Sequence, residues 1–188
     1  MKSIIAKTAI LSFLAASCNY NSTTTKNSPR STDSNKTVVN LQAGSASTAD
    51  ILTAYLQLKN ALSNDNSSLA ALAAMALHAA LGSFNKKALA DSQRIKFEDI
   101  QDEASEHAEH IGKNAGNIAH QRMHFESLSE DIYDLVKIFG AGQILYMDFC
   151  PMYDQGKGAS WISESKDIKN PYLGKSMPTC GVVKEEIK

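Results

Sequence analysis

Two cysteines near the carboxy-terminal end each have a methionine two or three residues away, Cys150 with Met152 and Cys180 with Met177. Thiolate and thioether sulfurs are polarizable donors that select Cu(I) and ions like it over magnesium, calcium or manganese. A thiol must shed its proton to coordinate, so binding here would release protons and weaken on acidification. Two other readings of the cysteines stay open. A disulfide suits an oxidising envelope, and closing a loop of this length could contribute about 3–4 kcal/mol in the chain-entropy model. Free, buried or redox-active thiols are the other reading, although no Cys-x-x-Cys spacing argues for it. The methionines are either soft donors or adaptable core fillers, and a disulfide alone leaves them unexplained.

Nitrogen donors come from the middle of the chain. Four of the five histidines, His107, His110, His120 and His124, lie in one long helical pattern. His120 and His124 are four residues apart and so share a helical face, a spacing that can chelate a metal. His110 can join them only if the chain bends in between. The alternative is a solvated polar face opposite the apolar stripe. The candidate ligand set is therefore Cys150, Met152, Met177 and Cys180, with His124 and then His120 as nitrogen donors and Cu(I) or Ag(I) as the ion. If the cysteines are purely structural, no cofactor is expected. No Gly-rich phosphate loop follows a strand, and no Ser/His/Asp or Walker-type pattern occurs, so no catalytic residue is assigned and a non-enzymatic role is expected.

Positioning such donors needs a scaffold, and helical periodicity supplies most of it. Ile51, Tyr55, Leu58 and Leu62 recur at helical steps after the capping candidates Ser47 and Thr48, predicting a helix to about Ser63 that Asn64-Asp65-Asn66 stops. Leu69, Leu72, Ala76, Leu77, Ala80, Leu81 and Phe84 predict the apolar stripe of a second, alanine-rich helix. His78 beside it reads as a packed or edge residue. Ala104, Ala108, Ile111, Ala115, Ile118, Arg122, Phe125, Ile132, Val136 and Phe139 then follow a nearly sustained 4-3 step, with Ser129 in the one missing place. One long helix or two helices broken at Asn114 to Gly116 would both satisfy it, and Gly112 and Gly116 favour the break. Arg122 sits within the apolar stripe, where a charge needs a partner; an anchor for the carboxy-terminal loops is its expected role. The acids Asp99, Asp102, Glu103, Glu106 and Glu109 read as a solvated face.

After Gly140-Ala141-Gly142 the pattern changes. Ile144–Phe149 is a β-prone run leading into Cys150, and Gly181-Val182-Val183 a second, with Gly156, Gly158, Pro171, Gly174 and Pro178 punctuating the loops between. Trp161 is expected to pack this module onto the helices, and Asn170-Pro171-Tyr172 to fix a turn. The expected fold is mainly α: a three- to four-helix bundle with a C-terminal loop and short β-hairpin module.

The amino-terminal residues set the expected location. Lys2 and Lys7, an apolar run from Ala9 to Ala16, and Leu14-Ala15-Ala16-Ser17-Cys18 read as a lipoprotein signal over residues 1–17, with Cys18 the acylated first residue of the mature chain. The apolar run falls short of the roughly 20 residues of a spanning helix. Residues 18–46, dominated by Asn, Ser, Thr and Lys, read as a lipidated flexible tether and residues 47–188 as one domain. The 188-residue chain carries 19 basic and 20 acidic residues, and loss of Lys2 and Lys7 leaves 17 against 20. Nucleic acid is not an expected partner, since phosphate binding demands clustered positive charge. The membrane, through the lipid anchor, is one.

The run Cys150-Pro151-Met152, Gly158-Ala159, Trp161-Ile162-Ser163, Ile168-Lys169-Asn170-Pro171-Tyr172-Leu173-Gly174, Met177 and Thr179-Cys180-Gly181 resembles the family catalogued as domain of unknown function 3347. His120-Gln121-Arg122, His124-Phe125 and Leu128-Ser129 resemble that family's helical signature, and the likeness extends over about residues 48 to 188. Leu173 stands where the family usually has an aromatic residue and Pro178 where an aliphatic one is common; neither replaces a donor. Family members occur as bacterial envelope lipoproteins and as the carboxy-terminal domain of periplasmic adaptors in copper/silver efflux. The resemblance therefore implies heavy-metal handling, a cell-envelope location facing the periplasm or the surface, and efflux components as partners. The adaptors' hairpin and barrel domains have no counterpart in this sequence, which argues against a pump-bridging role.

Overall fold

Ser47 begins the ordered architecture by capping the first helix, α1 (Thr48–Ser63). Its hydroxyl accepts the Asp50 N–H, and the Asp50 carboxylate takes the Ser47 N–H at 2.7 Å, a reciprocal box that satisfies two otherwise orphaned donors. The same bonds from Ser47 hold the Asp50 carboxyl below its ordinary range. The computed structural model describes residues 47–188; the signal segment, Cys18 and the tether expected over 1–46 lie outside the described residues. The helix ends where expected, at Asn64, and Asp65 takes a positive φ of 54° as the chain reverses.

Three further helices follow: α2 (Ser67–Gly82), α3 (Asp91–Lys113) and α4 (Ile118–Phe139). Each packs on its neighbour in chain order, as short connections between amphipathic helices require. The long periodic region is thus two helices. Asn114 closes α3, Gly116 turns the chain at φ +91°, and the Asn117 side chain caps α4 by accepting the His120 N–H. The break costs the periodic pattern only Ala115, which is exposed.

The second helix buries Leu77 and Leu81 of the expected stripe but turns its first two leucines outward. Ala70, Ala73, Ala74, Leu77 and Leu81 are in the core, whereas Leu69 and Leu72 are 53 % and 68 % exposed and Ala76 is exposed. Packed on both sides by α1 and α3, α2 needs small side chains at its contacts so that the backbones can approach. Alanine wins those positions, and the leucines at its first two turns are left outside. His78 is an edge residue as expected, part-buried with Nδ1 3.1 Å from the Ser105 carbonyl oxygen.

Beyond α4 lies a three-stranded antiparallel sheet of order β2-β1-β3, formed by β1 (Leu145–Cys150), β2 (Ala159–Ser163) and β3 (Val182–Ile187). The expected pairing of the first and last strands is present, with Phe149 opposite Val182. A middle strand extends the expected β module: Ala159–Ser163 pairs with the other edge of β1, Asp148 opposite Trp161. Gly156 and Gly158 just ahead of it gave this stretch a loop's local signature, and only the free edge of β1 makes it a strand.

Tyr55 ties the layers together. Its ring stacks on Phe125 at 5.4 Å, its hydroxyl lies 2.8 Å from that of Ser129, and it accepts the Ile162 N–H at 3.1 Å. Ser129 thus occupies the gap in the apolar pattern because a buried phenol needs a polar partner there. Trp161 and Tyr172 complete this junction between α4 and the sheet, edge to face at 5.9 Å.

Candidate metal centre

The sulfur residues converge where the sheet meets its loops. Cys150 ends β1 and is buried; Cys180 stands just ahead of β3 and is part-buried. Pairing of β1 with β3 brings the two ends together, and the Sγ atoms lie 3.0 Å apart as free thiols. Asn170 holds the second thiol in place. Its side chain donates to the Cys180 carbonyl at 2.7 Å and accepts the N–H groups of Tyr172 and Leu173, both at 2.8 Å, while its backbone N–H bonds the Pro178 carbonyl at 2.9 Å. The expected turn is therefore also the support of Cys180. Gly181 follows with φ +148°, and a Cβ there would lie 2.9 Å from the Trp161 ring.

Both methionines adjoin the pair along the chain. The Cys180 N–H bonds the Met177 carbonyl at 3.2 Å, and Pro151 alone separates Met152 from Cys150. Their side chains face water, Met152 at 57 % and Met177 at 38 % exposure. The core-filler reading of these residues is thereby removed. The hydrogen bond with Cys150, then burial, raises the Cys180 thiol above its ordinary range, against a smaller opposing effect of the Met152 backbone N–H.

Arg122 anchors this module as expected. Its guanidinium donates to the Pro171 carbonyl at 2.7 Å, the Leu62 carbonyl at 3.0 Å and the Asp65 carboxylate at 2.5 Å, joining α4, the α1–α2 turn and the loop ahead of Cys180. Asp65 is held below the ordinary carboxylate range, first by that bond and then by the Lys175 N–H. A Cβ on Gly174 would collide with this pair, and its φ of +53° also suits glycine.

The histidines form a second group. His110, His120 and His124 offer ligand atoms that all lie within 4.8 Å of one another, and neither cysteine belongs to this set. Helix geometry explains the separation: His124 faces α3, where it meets His107 and His110, while its neighbour Phe125 faces α1 and Tyr172. The six candidate donors therefore divide, with Cys150 and Cys180 in contact at the sheet and His120 and His124 on the α3–α4 hairpin. Sequence reading left His107 out of the ligand set and admitted His110 only through a bend. The Asn114–Asn117 turn is that bend.

Two buried acids went unnoticed in the sequence. Asp148, on β1, has neither carboxylate oxygen hydrogen-bonded among the described residues, and burial pushes its pKa up to about 7. Asp131 on α4 is raised to about 7 by burial and by the nearby Glu103, Glu130 and Asp134. Alternation in β1 was the available signal for Asp148, since it places that residue on the same face as Tyr146 and Cys150.

A family model described as "Protein of unknown function (DUF3347)" matches residues 51–143, which cover the four helices and stop ahead of β1. The cysteines and methionines on which the resemblance chiefly rested lie beyond the matched residues. No curated protein and no solved structure matches the chain.

Proposed function

Since this chain belongs to the DUF3347 family through its helical residues 51–143, we propose that it is a lipid-anchored bacterial envelope protein that binds Cu(I) or Ag(I). In this reading it buffers the ion or passes it to an efflux partner, as a binding protein without catalysis. The carrying observation is the exposure of Met152 and Met177 beside two free thiols. Apolar side chains gain nothing by facing water, whereas exposed thioethers a few residues from a thiol pair can receive a soft ion and deliver it. Cys150 is buried, so the ion enters from the Cys180 side. Two sulfurs bonded to one metal ion stand farther apart than 3.0 Å, so the pair opens on binding. The anchor rests on the residues around Cys18, and Cys18→Ala should move the protein from the membrane to the soluble fraction.

Anaerobic Cu(I) titration against a strong chelator tests the site. The reduced parent should bind; Cys150→Ser/Cys180→Ser should not; Met152→Leu/Met177→Leu should bind more weakly with its fold intact, since the swap keeps most of the packing volume. Equal affinity in all three would sink the proposal. A structural disulfide is the second reading, and the 3.0 Å proximity in an oxidising compartment favours it. Mass spectrometry of protein purified without reductant separates the two, because a Cys150–Cys180 disulfide that persists quantitatively in metal-replete cells supports the structural role.

A further inference from the structure

Four imidazoles meet on the α3–α4 hairpin, and the hairpin is braced to hold them there. His107 and His110 lie three residues apart on α3, His120 and His124 four apart on α4, so each pair shares a face of its own helix. The connection that turns one face onto the other is tied down. The Gly116 N–H donates to Ser67 at 2.7 Å, and buried Gln121 donates to the carbonyls of Ser67 and Ile111 and accepts from the Ser67 hydroxyl. The hinge between the two histidine faces is thereby fixed to α2.

His124 is the centre of the cluster. Its ring lies parallel to that of His110 at 4.5 Å, edge-on to His120 at 4.6 Å and tilted to His107 at 5.4 Å. Its Nδ1 is 3.2 Å from the Nδ1 of His107. One of these nitrogens donates and the other accepts. If His124 donates, its Nε2 keeps a free lone pair, the arrangement by which metal-ligating histidines are oriented through their second nitrogen.

We propose that His110, His120 and His124 form a nitrogen-donor site for a divalent late transition ion, Zn(II) or Cu(II), with His107 as the positioning residue that fixes the tautomer of His124. This site is separate from the sulfur site and does not depend on it. Three imidazoles are a borderline set suited to zinc and divalent copper rather than to magnesium or calcium. They leave a fourth position open to solvent, as in zinc sites that exchange a ligand. Metal–nitrogen bonds of about 2.0–2.1 Å would bring the ligand atoms to about 3.3 Å from one another. From within 4.8 Å that is a side-chain adjustment, available because His110 is exposed and His120 and His124 only part-buried. One feature supports the assignment beyond distance: Glu106 reaches to 3.9 Å of His110 and places negative charge beside the cation.

Calorimetric titration of the full-length Cys150→Ser/Cys180→Ser protein with Zn(II), and electron paramagnetic resonance with one equivalent of Cu(II), keep the sulfur site out of the measurement. One equivalent should bind, with a spectrum showing several equivalent nitrogens. Binding should be lost in His110→Gln/His124→Gln and in His120→Gln, whose circular dichroism should match the parent. His107→Leu should weaken binding about 10–100-fold, and His107→Gln, which keeps a hydrogen-bonding partner, should recover part of that loss. Absence of stoichiometric binding, or full affinity in the double glutamine variant, overturns the site. Unchanged affinity in His107→Leu overturns the positioning role.

Discussion

The helical bundle and the carboxy-terminal module are held by different kinds of interaction. From α1 to α4 the core is a long series of Leu, Ile, Ala and Phe contacts, each replaceable by something of similar size. The module instead depends on a few residues with several bonds apiece: the Arg122 side chain reaching three partners, Asn170 five, and Tyr172, whose hydroxyl bonds the Ser160 carbonyl at 2.5 Å. Many weak contacts tolerate the loss of one. A loop fixed by a single fork does not, so the sulfur residues sit on the more fragile support and the histidines on the sturdier one.

Substitutions can break or sharpen that contrast. The largest effect belongs to the junction: Trp161→Ala should destabilise the protein by about 3–5 kcal/mol, since the ring is almost wholly buried against the helices and Tyr172. Denaturant unfolding measures it, and a loss below 1 kcal/mol would mean that the module is only loosely attached. Arg122→Met should cost about 2–3 kcal/mol, less than a fully buried pair because Asp65 is one-third exposed. Hydrogen exchange in this variant should quicken over the loop 171–177 while the α2–α3 contact keeps its protection. Uniform quickening would erase the distinction between the two regions.

The next effect depends on pH. Asp148 keeps its proton in the folded state up to about pH 7, whereas an ordinary carboxyl near 3.8 has already lost it. Between those values the folded chain binds more protons than the unfolded one, so this group's contribution is complete below about pH 4 and is lost as pH rises through 7. Asp148→Asn should therefore be more stable than the parent by about 1–2 kcal/mol at pH 8, with the difference shrinking as pH falls below 7 and vanishing only below about pH 4. Asp131 titrates in the same window but is present in both proteins and cancels. A difference independent of pH would show that ionisation of Asp148 is not its source. The smallest effect is on the helical side, where Leu72→Ala should change stability by less than about 0.5 kcal/mol because the side chain is in water.

Ser47 and Asp50 make the start of α1 readable from the chain, because a capping box is completed within four residues. The stop at Asn64 and the need of Arg122 for a partner were readable for a similar reason: each is written in residue type and immediate spacing. The face of α2 was not, since Leu69 and Leu72 carry more apolar surface than the alanines that displaced them. Their burial was decided by the space between α1 and α3, which no window within α2 contains. Strand β2 was hidden in the same way, its identity supplied by the open edge of β1.

The sequence by itself determined the limits of α1, the placing of a methionine near each of two cysteines and the clustering of histidines on one stretch of chain, because periodicity, caps and side-chain type act over a few residues. Tertiary structure decided which donors meet. The turn at Asn114–Asn117 folds His107 and His110 onto His120 and His124, and the sheet closes Cys150 on Cys180 across thirty positions. Both meetings depend on the direction in which the chain returns after a turn. That direction is fixed by packing against a third element, Ser67 and Gln121 for the histidines and Asn170 with Arg122 for the thiols.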